Sequence, residues 1–292
     1  MSETVIPESE FIVHPDGSIY HLHLKPEQVA DTVITVGDPR RVREISRHFD
    51  VLQHEVEYRE FVTHTGFLNN KQLTVLSTGI GTENIDIVLN ELDALVNIDF
   101  ATRTVRKDLR QLDIIRLGTS GSVCEDITND EIIVSEAAIG LDGLLNFYEH
   151  ENSIQETVYR EAFFNHIKPY FTQIEPYIAS ADESLLQKFE PHFKKGTTLT
   201  SCGFYAPQGR MLRAKKTFPD FIGVIKSFRH KHFRITNLEM ETAAIYGLGR
   251  LLGHRCLSVN AILANRIHHT FSNNPAKTVE RMIEQSLEII TR

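Results

Sequence analysis

The strongest constraint on this chain is an alternation. Short runs rich in β-branched residues recur at Thr32–Val36, Leu73–Ser77, Asp113–Leu117, Glu131–Ser135, Thr197–Ser201 and Cys256–Leu263. Most carry apolar residues at successive positions, so both faces must be covered, as in a largely parallel sheet. Between them lie segments with apolar residues at helical spacing. Ile85, Val88, Leu89, Leu92 and Val96 form one stripe; Met240, Ala243, Ala244, Gly247, Leu248, Leu251 and Leu252 form another. Strands alternating with helices predict an α/β fold. No internal repeat or low-complexity linker breaks the pattern. Residues 1–19 read as an irregular polar arm, residues 20–292 as a single domain, and the basic stretch 100–112 (FATRTVRKDLRQL) as a surface excursion.

Composition narrows the function classes. A net charge of −8 argues against a general nucleic-acid or acidic-membrane surface, so a bound anion must meet a local cluster of donors. The three cysteines, Cys124, Cys202 and Cys256, are odd in number and far apart, which disfavours a disulfide framework or thiolate zinc site and fits a reducing compartment. The first residues, MSETVIPESEF, lack the basic and apolar regions of a signal peptide, and no stretch has the roughly 20 apolar residues of a membrane span. A cytoplasmic protein with no membrane or nucleic-acid partner is expected.

Three strand ends carry glycine. In TVITVGDPRRVREIS a strand stops at Gly37, Asp38 is suited to cap a helix and Pro39 to its first position, and Val42, Ile45 and Phe49 supply a buried stripe. A helix start with free N–H groups beside Arg41 is an anion site or simply a tight turn with solvated arginines. In LTVLSTGIGTENIDIVLNEL a strand again runs through glycines, Gly79-Ile80-Gly81, into a helix; this is an incomplete dinucleotide fingerprint and more often packing. In DIIRLGTSGSV, Arg116 interrupts an apolar strand and needs an anionic partner. Gly118, Thr119, Ser120 and Gly121 follow it with backbone N–H groups and two hydroxyls. Three such ends of one sheet fit a ligand site at the carboxyl edge of the strands.

Other polar residues have structural explanations. His21 and His23 alternate in a short apolar run, expected to be a strand, where a histidine is usually structural. Thr236-Asn237-Leu238-Glu239 fits a capping box that starts a helix, leaving Glu241 as the better ligand contact. Gln208 and Arg210 sit on a Pro-containing loop with nothing unusual about it.

Taken together, YHLHL (20–24), VGDPRRV (36–42), REF (59–61), STGIG (77–81), RLGTSG (116–121), FYAPQGR (204–210), NLEMET (237–242) and ILANR (262–266) make the chain resemble the hexameric-type nucleoside phosphorylases, and within them the uridine phosphorylases. The resemblance covers roughly residues 18–292. It implies a single α/β domain with a mixed, largely parallel and partly barrel-like sheet flanked by helices. It implies phosphate ligands at Gly37, Arg41, Arg116 and Thr119, with Arg59 supplied by a neighbouring subunit. His21 would reach across the same interface toward the ribose 5′-hydroxyl. Met240 and Glu241 would contact the ribose, Gln208 and Arg210 would bind the pyrimidine, Phe204 would stack near it, and Arg266 would buttress the base pocket. The active site would be shared in a homo-oligomer, either hexamer or dimer.

The reaction implied is nucleoside plus inorganic phosphate giving free base and ribose 1-phosphate, through an oxocarbenium-like sugar. Arg116, Thr119, Gln208 and Arg210 are the candidate catalytic residues. Phosphate is the co-substrate and no organic cofactor is implied. Some family members hold a monovalent cation, K+, between subunits; Glu60 is a candidate contact, although Thr82-Glu83-Asn84 departs from the GPS common in uridine phosphorylases. Purine-specific relatives use an Asp where this chain has Asn265-Arg266, which favours a pyrimidine, uridine first. The rivals are a purine nucleoside phosphorylase, a phosphate-independent nucleosidase of the same fold, and a non-catalytic nucleoside-binding paralogue.

Overall fold

Every residue of Thr32–Val36 is buried, and the run lies between two parallel neighbours. The computed structural model describes residues 4–171 and 173–292. Its elements are, in chain order, β1 (Thr32–Val36), α1 (Pro39–Ser46), β2 (Val51–Tyr58), β3 (Phe61–Leu68), β4 (Lys71–Ser77), α2 (Thr82–Asn97), β5 (Ile98–Asp99), β6 (Thr104–Val105), β7 (Asp113–Ser122), β8 (Ile132–Gly140), α3 (Ile154–Ile167), β9 (Tyr177–Ser180), α4 (Glu183–Phe189), β10 (Lys194–Thr200), α5 (Phe221–Ser227), β11 (Ile235–Glu239), α6 (Thr242–Leu251), β12 (Arg255–Asn265), β13 (Thr270–Phe271) and α7 (Pro275–Thr291).

Among the described residues, one sheet runs in the order β13-β12-β8-β10-β11-β7-β1-β4-β3-β2, with β9 on β8. Because β12 also pairs with β7, the strands β7-β12-β8-β10-β11 close into a barrel-like ring, and β1, β4, β3 and β2 extend from it as an open wing. The β1–β4, β1–β7, β7–β12, β8–β10 and β10–β11 pairs are parallel and the remaining pairs antiparallel. β7 is the hub. Its first four residues pair with β1, its whole length with β12, and Gly121 and Ser122 with β11.

Apolar residues at successive positions are explained by the layers. On β1 and β7, Val33 and Ile114 face α2 and α6, where Ile85, Val88, Leu89, Leu92, Ala243, Ala244 and Leu248 pack. Ile34, Val36, Ile115 and Leu117 face the other way, onto Val42 and Ile45 of α1 and Met282, Ile283 and Leu287 of α7. A third cluster, with Phe163 and Ile167 of α3 and Ile225 of α5, covers Ile139, Leu199 and Ile235 of the ring. Each valine, leucine, isoleucine, methionine and phenylalanine among these contributes roughly 1.5–3 kcal/mol when fully buried.

Several local expectations are corrected. β7 does not end at Leu117; it continues through Gly118–Ser122, which pair with β12, so those backbone groups are engaged in the sheet. Phe49 lies beyond α1 and packs half-buried on its cluster. Met240 precedes α6 and Leu251 is exposed, whereas Thr242–Gly249 are buried throughout, so α6 is an internal helix rather than an amphipathic one. Tyr20-His21-Leu22 is a turn, not a strand, and His23 has a left-handed backbone. Thr236–Glu239 is no capping box, because it belongs to β11; its polar side chains are used between strands. Within 100–112 a short β5–β6 ribbon forms, and Arg103 reaches back to hold the N-terminal segment through the carbonyls of Ile6 (2.9 Å), Pro7 (3.0 Å) and Phe11. Phe11 packs edge-on against Phe100 at 4.8 Å between centroids, fixing that segment to the body.

Candidate active site

The ends of β1, β4 and β7 and the loops after β10 and β11 surround a cavity of about 570 Å³. Ten of the candidate residues line it: Gly37, Arg41, Glu60, Arg116, Thr119, Phe204, Gln208, Arg210, Met240 and Glu241. Arg266, Arg59 and His21 do not. Arg266 stands against the cavity wall and donates from Nη1 to the Gln208 carbonyl at 3.0 Å. Arg59 is exposed on the β2–β3 turn. His21 is bound to Glu91, which takes hydrogen bonds from the His21 backbone N–H at 2.9 and 3.0 Å and meets Nδ1 at 2.6 Å.

The first group of cavity residues is built at the strand ends. Asp38 caps α1 by accepting from the Arg40 N–H at 2.9 Å, and Pro39 fills the first helical position, which sets Arg41 in the first turn. Arg41 Nε is buried and finds no hydrogen-bond partner among the described residues. Burial depresses the Arg41 pKa; Glu44 and Asp38 oppose this and Arg116 adds to it. Gly79 and Gly81 both have positive φ, +71° and +99°, which glycine adopts without strain. Gly81 is the N-cap of α2, and its N–H donates to Glu241 Oε1 at 2.9 Å.

Arg116 is almost fully enclosed. One Nη donates to Asn260 Oδ1 at 2.8 Å, and the other meets Glu241 Oε2 at 2.6 Å and Glu239 Oε2 at 3.1 Å. Burial alone would lower its pKa, but Glu239 and Glu241 outweigh burial and raise it. The guanidinium folds back over Gly118, where an added Cβ would lie 1.9 Å from Nη1, so residue 118 must be glycine for this pose. Burial pushes the Glu241 carboxyl up, with Arg116 pulling it down and Glu239 pushing it further up. The anionic partner that Arg116 requires is thus found within the chain.

The local sequence around Glu239 predicts a capping residue at a helix start. Glu239 does cap α6, but from the end of β11: Oε2 accepts from the Glu241 and Thr242 N–H groups, both at 2.9 Å, and Oε1 from the Thr200 hydroxyl at 2.6 Å. It also lines the cavity. A second carboxylate two positions from Glu241, beside an arginine lodged in a strand, is the signal that would have found it.

The second group sits on the loop after β10. Arg210 donates to the Phe204 carbonyl at 2.8 Å and to Gln208 Oε1 at 2.7 Å, and its guanidinium stacks over the Phe204 ring at 3.8 Å. Gln208 is buried, and its Nε2 points to the Glu239 carbonyl at 3.3 Å. Burial, then the nearby Arg266, pushes the Arg210 pKa down to about 10. Burial also lowers that of Arg266. Leu238, Leu263, Ala264 and Phe271 complete the wall. Phe271 is brought there by the β12–β13 hairpin, for which nothing in its own sequence surroundings points to a ligand.

Comparison with known proteins places these features in context. A family model described as the phosphorylase superfamily matches residues 31–292. A uridine phosphorylase of Thermococcus kodakarensis is 29% identical over 283 residues, covering 94% of this chain and 87% of the relative. A DeoD-type purine nucleoside phosphorylase of Colwellia psychrerythraea is 26% identical, covering 92% of this chain and 98% of the relative. Among solved structures, a Trypanosoma brucei nucleoside phosphorylase that shows uridine phosphorylase activity superposes with a TM-score of 0.87 at 27% identity, covering 97% of this chain and 98% of that one.

Proposed function

The chain belongs to the phosphorylase superfamily, and we propose that it cleaves uridine with inorganic phosphate to give uracil and ribose 1-phosphate. One observation carries this reading. Arg41 and Arg210 in the cavity, and Arg266 against it, form no ion pair among the described residues, in a protein whose net charge is −8. Partly buried guanidinium groups without a direct carboxylate partner are costly unless an anion arrives, and at Arg41 the more distant Glu44 and Asp38 do not offset burial. Two sets of them suit a reaction with an anionic nucleophile and a leaving group that becomes anionic.

In the reaction a phosphate oxygen forms the new bond to C1′ as the C1′–N1 bond breaks, the bonding electron pair leaves with the base, and the proton carried in by hydrogen phosphate ends on the base to give neutral uracil and the ribose 1-phosphate dianion. Arg41 and Arg116 hold the phosphate, with Gly37 and Thr119 beside it. This is catalysis by positioning and charge neutralisation. Glu241 keeps Arg116 in place through Oε2 and has lone pairs left to accept from sugar hydroxyls, with Met240 against the ribose. Glu239 and Glu241 together favour positive charge on the sugar. Gln208 and Arg210 donate to the departing uracil, Phe204 stacks near it, and Arg266 holds the loop that carries them.

We assign Arg59 and His21 to the neighbouring subunit's site in a homo-oligomer, hexamer or dimer, since neither lines the cavity of its own chain. Glu60, the residue that the resemblance offers as a K+ contact, lines this chain's own cavity. Among the described residues no group of three or more His, Cys, Asp or Glu side chains stands there to hold a metal ion, and no step is routed through one. No described helix is long and apolar enough to cross a membrane. The three unpaired cysteines favour a cytoplasmic location.

A purine substrate is the second reading, favoured by the DeoD-type relatives. Against it, the Asn265 side chain is consumed by backbone groups: it donates to the Cys124 and Ile127 carbonyls and accepts from the Ile267 and His268 N–H groups. Incubation with uridine or inosine, with and without phosphate, tests both. Uracil release that requires phosphate is expected. Phosphate-independent release would sink the phosphorylase reading, and release from inosine alone would replace uridine with a purine nucleoside.

A further inference from the structure

Arg59 is exposed, yet it is not loose. Its backbone is left-handed (φ +53°) at the tip of the β2–β3 turn, an uncommon conformation for a long side chain. Its guanidinium lies 4.9 Å from the Tyr20 ring centroid and 5.6 Å from that of Tyr58. Those rings are themselves held. Tyr20 stacks on His14 at 5.5 Å, Tyr58 meets His23 edge-on at 4.5 Å, and His14 touches both His23 and Tyr58. His23 Nδ1 lies 2.5 Å from the Ser18 hydroxyl, which donates to Asp16 at 2.6 Å. Ile19, Leu22 and Leu24, the neighbours of this aromatic group in the chain, are buried in the core. A flexible cation is therefore docked on two rings, whose hydroxyls also meet it: Tyr20 is anchored by the apolar burial of its chain neighbours, and Tyr58 by its pairing with Phe61 across the β2–β3 turn.

We propose that Tyr20 and Tyr58 are positioning residues: they form an aromatic bracket that presents the Arg59 guanidinium in one pose to an anion outside this chain's own cavity. This rests on the reading of Arg59 as a phosphate ligand for a neighbouring subunit, and extends it by naming what orders that arginine beforehand. Cations favour the faces of aromatic rings, and a side chain ordered in advance loses less freedom on binding. The bracket also gives residues 13–20 a role in catalysis that their polar, irregular sequence does not suggest.

The test is steady-state kinetics of the full-length protein with phosphate varied, on Arg59→Ala, on Tyr20→Leu/Tyr58→Leu, on Tyr20→Phe/Tyr58→Phe, and on the triple combination of the leucine changes with Arg59→Ala. Expected are a rise in phosphate KM of about tenfold or more for Arg59→Ala and about fivefold for the leucine pair. The uridine KM should stay within about twofold; the phenylalanine pair, which keeps the rings but loses the hydroxyls that also meet Arg59, should fall between the parent and the leucine pair; and the leucine changes should add nothing once Arg59 is gone. The oligomer mass, by light scattering, should match the parent in every variant. An unchanged phosphate KM in Arg59→Ala overturns the ligand reading itself. A normal phosphate KM in the leucine pair, an effect additive with Arg59→Ala, or a leucine effect that appears only with a changed oligomer mass overturns the bracket alone.

Discussion

Arg116 and Arg210 face one cavity but are built in different ways. Arg116 sits within β7, enclosed by two carboxylates and an asparagine amide, and its partners fix it in a single orientation. Arg210 sits on the loop after β10 and is held by a carbonyl, an amide oxygen and the face of Phe204, with no carboxylate paired to it. Charge is compensated at the first and left over at the second, where Arg266 adds to the excess. The strand end is a rigid holder, suited to keeping a nucleophile in one place. The loop holds positive charge in reserve, which on the proposed function suits a group that becomes negative only as the bond breaks.

The largest effects should separate the two. On the proposed function, Arg116→Ala removes a phosphate-holding cation, and it leaves Glu239 and Glu241 buried without their counter-charge. Turnover should fall by about 10³-fold or more, and the fold should lose about 3 kcal/mol, seen as a lower midpoint in thermal or urea unfolding. Arg210→Ala should lower kcat on uridine by about 10²-fold, as removal of one donor to developing charge does. It should leave phosphate KM and unfolding nearly unchanged. Equal destabilisation by the two substitutions would erase the contrast, as would an Arg210→Ala defect that falls on phosphate KM. A smaller change sharpens it. Gly118→Ala puts a methyl group where Arg116 Nη1 lies, so the guanidinium must swing, and phosphate KM should rise about tenfold with the uridine KM preserved. A parent-like phosphate KM in that variant would show that the folded-back pose of Arg116 is dispensable.

The same division governs what the sequence made legible. The strand end was readable because its signals are local. Thr32–Val36 is a strand at the bounds expected, and Asp38 and Pro39 start α1 as their chemistry demands. An arginine in an apolar run demanded an anion. The identity of that anion was not readable, because Glu239 and Glu241 reach Arg116 across more than a hundred residues, through the pairing of β11 with β7. The capping-box reading of Thr236–Glu239 failed for the same reason: tertiary pairing overrode a local pattern, and Glu239 performs its capping from a strand. On the loop, Gln208 and Arg210 were invisible to residue-level reasoning and came only from the family resemblance. A loop has no periodicity to betray which side chains turn inward, and the wall formed by Phe271 depends on a hairpin register. The YHLHL run misled as a strand because Leu22 and Leu24 are both buried at alternate positions, as strand residues would be, although the backbone there turns.

The smallest effect is a matter of pH, and its sign distinguishes the two ends. Burial holds the Glu241 carboxyl above its ordinary value of 4.5. As pH falls through the raised value, Glu241 takes up a proton before an ordinary glutamate would, its ion pair with Arg116 is lost and, on the proposed function, it becomes a weaker acceptor for the sugar hydroxyls. The acid limb of kcat/KM for uridine should therefore lie above the ordinary carboxylate range. The folded state holds more protons than the unfolded chain between the ordinary and the raised value, so conformational stability from this group falls as pH rises through that window. One carboxyl thus makes activity climb and stability decline over the same range. Asp142, which burial also pushes up, contributes to the stability slope but lies outside the cavity lining. Glu241→Gln should then remove the acid limb and flatten, without abolishing, the stability slope. Arg210, at about 10, remains charged throughout this range and contributes nothing to either. Parallel kcat/KM and unfolding profiles of parent and variant check this. An acid limb that persists unmoved in Glu241→Gln would transfer it to another group and break the link between the carboxylate that orders Arg116 and the chemistry beside it.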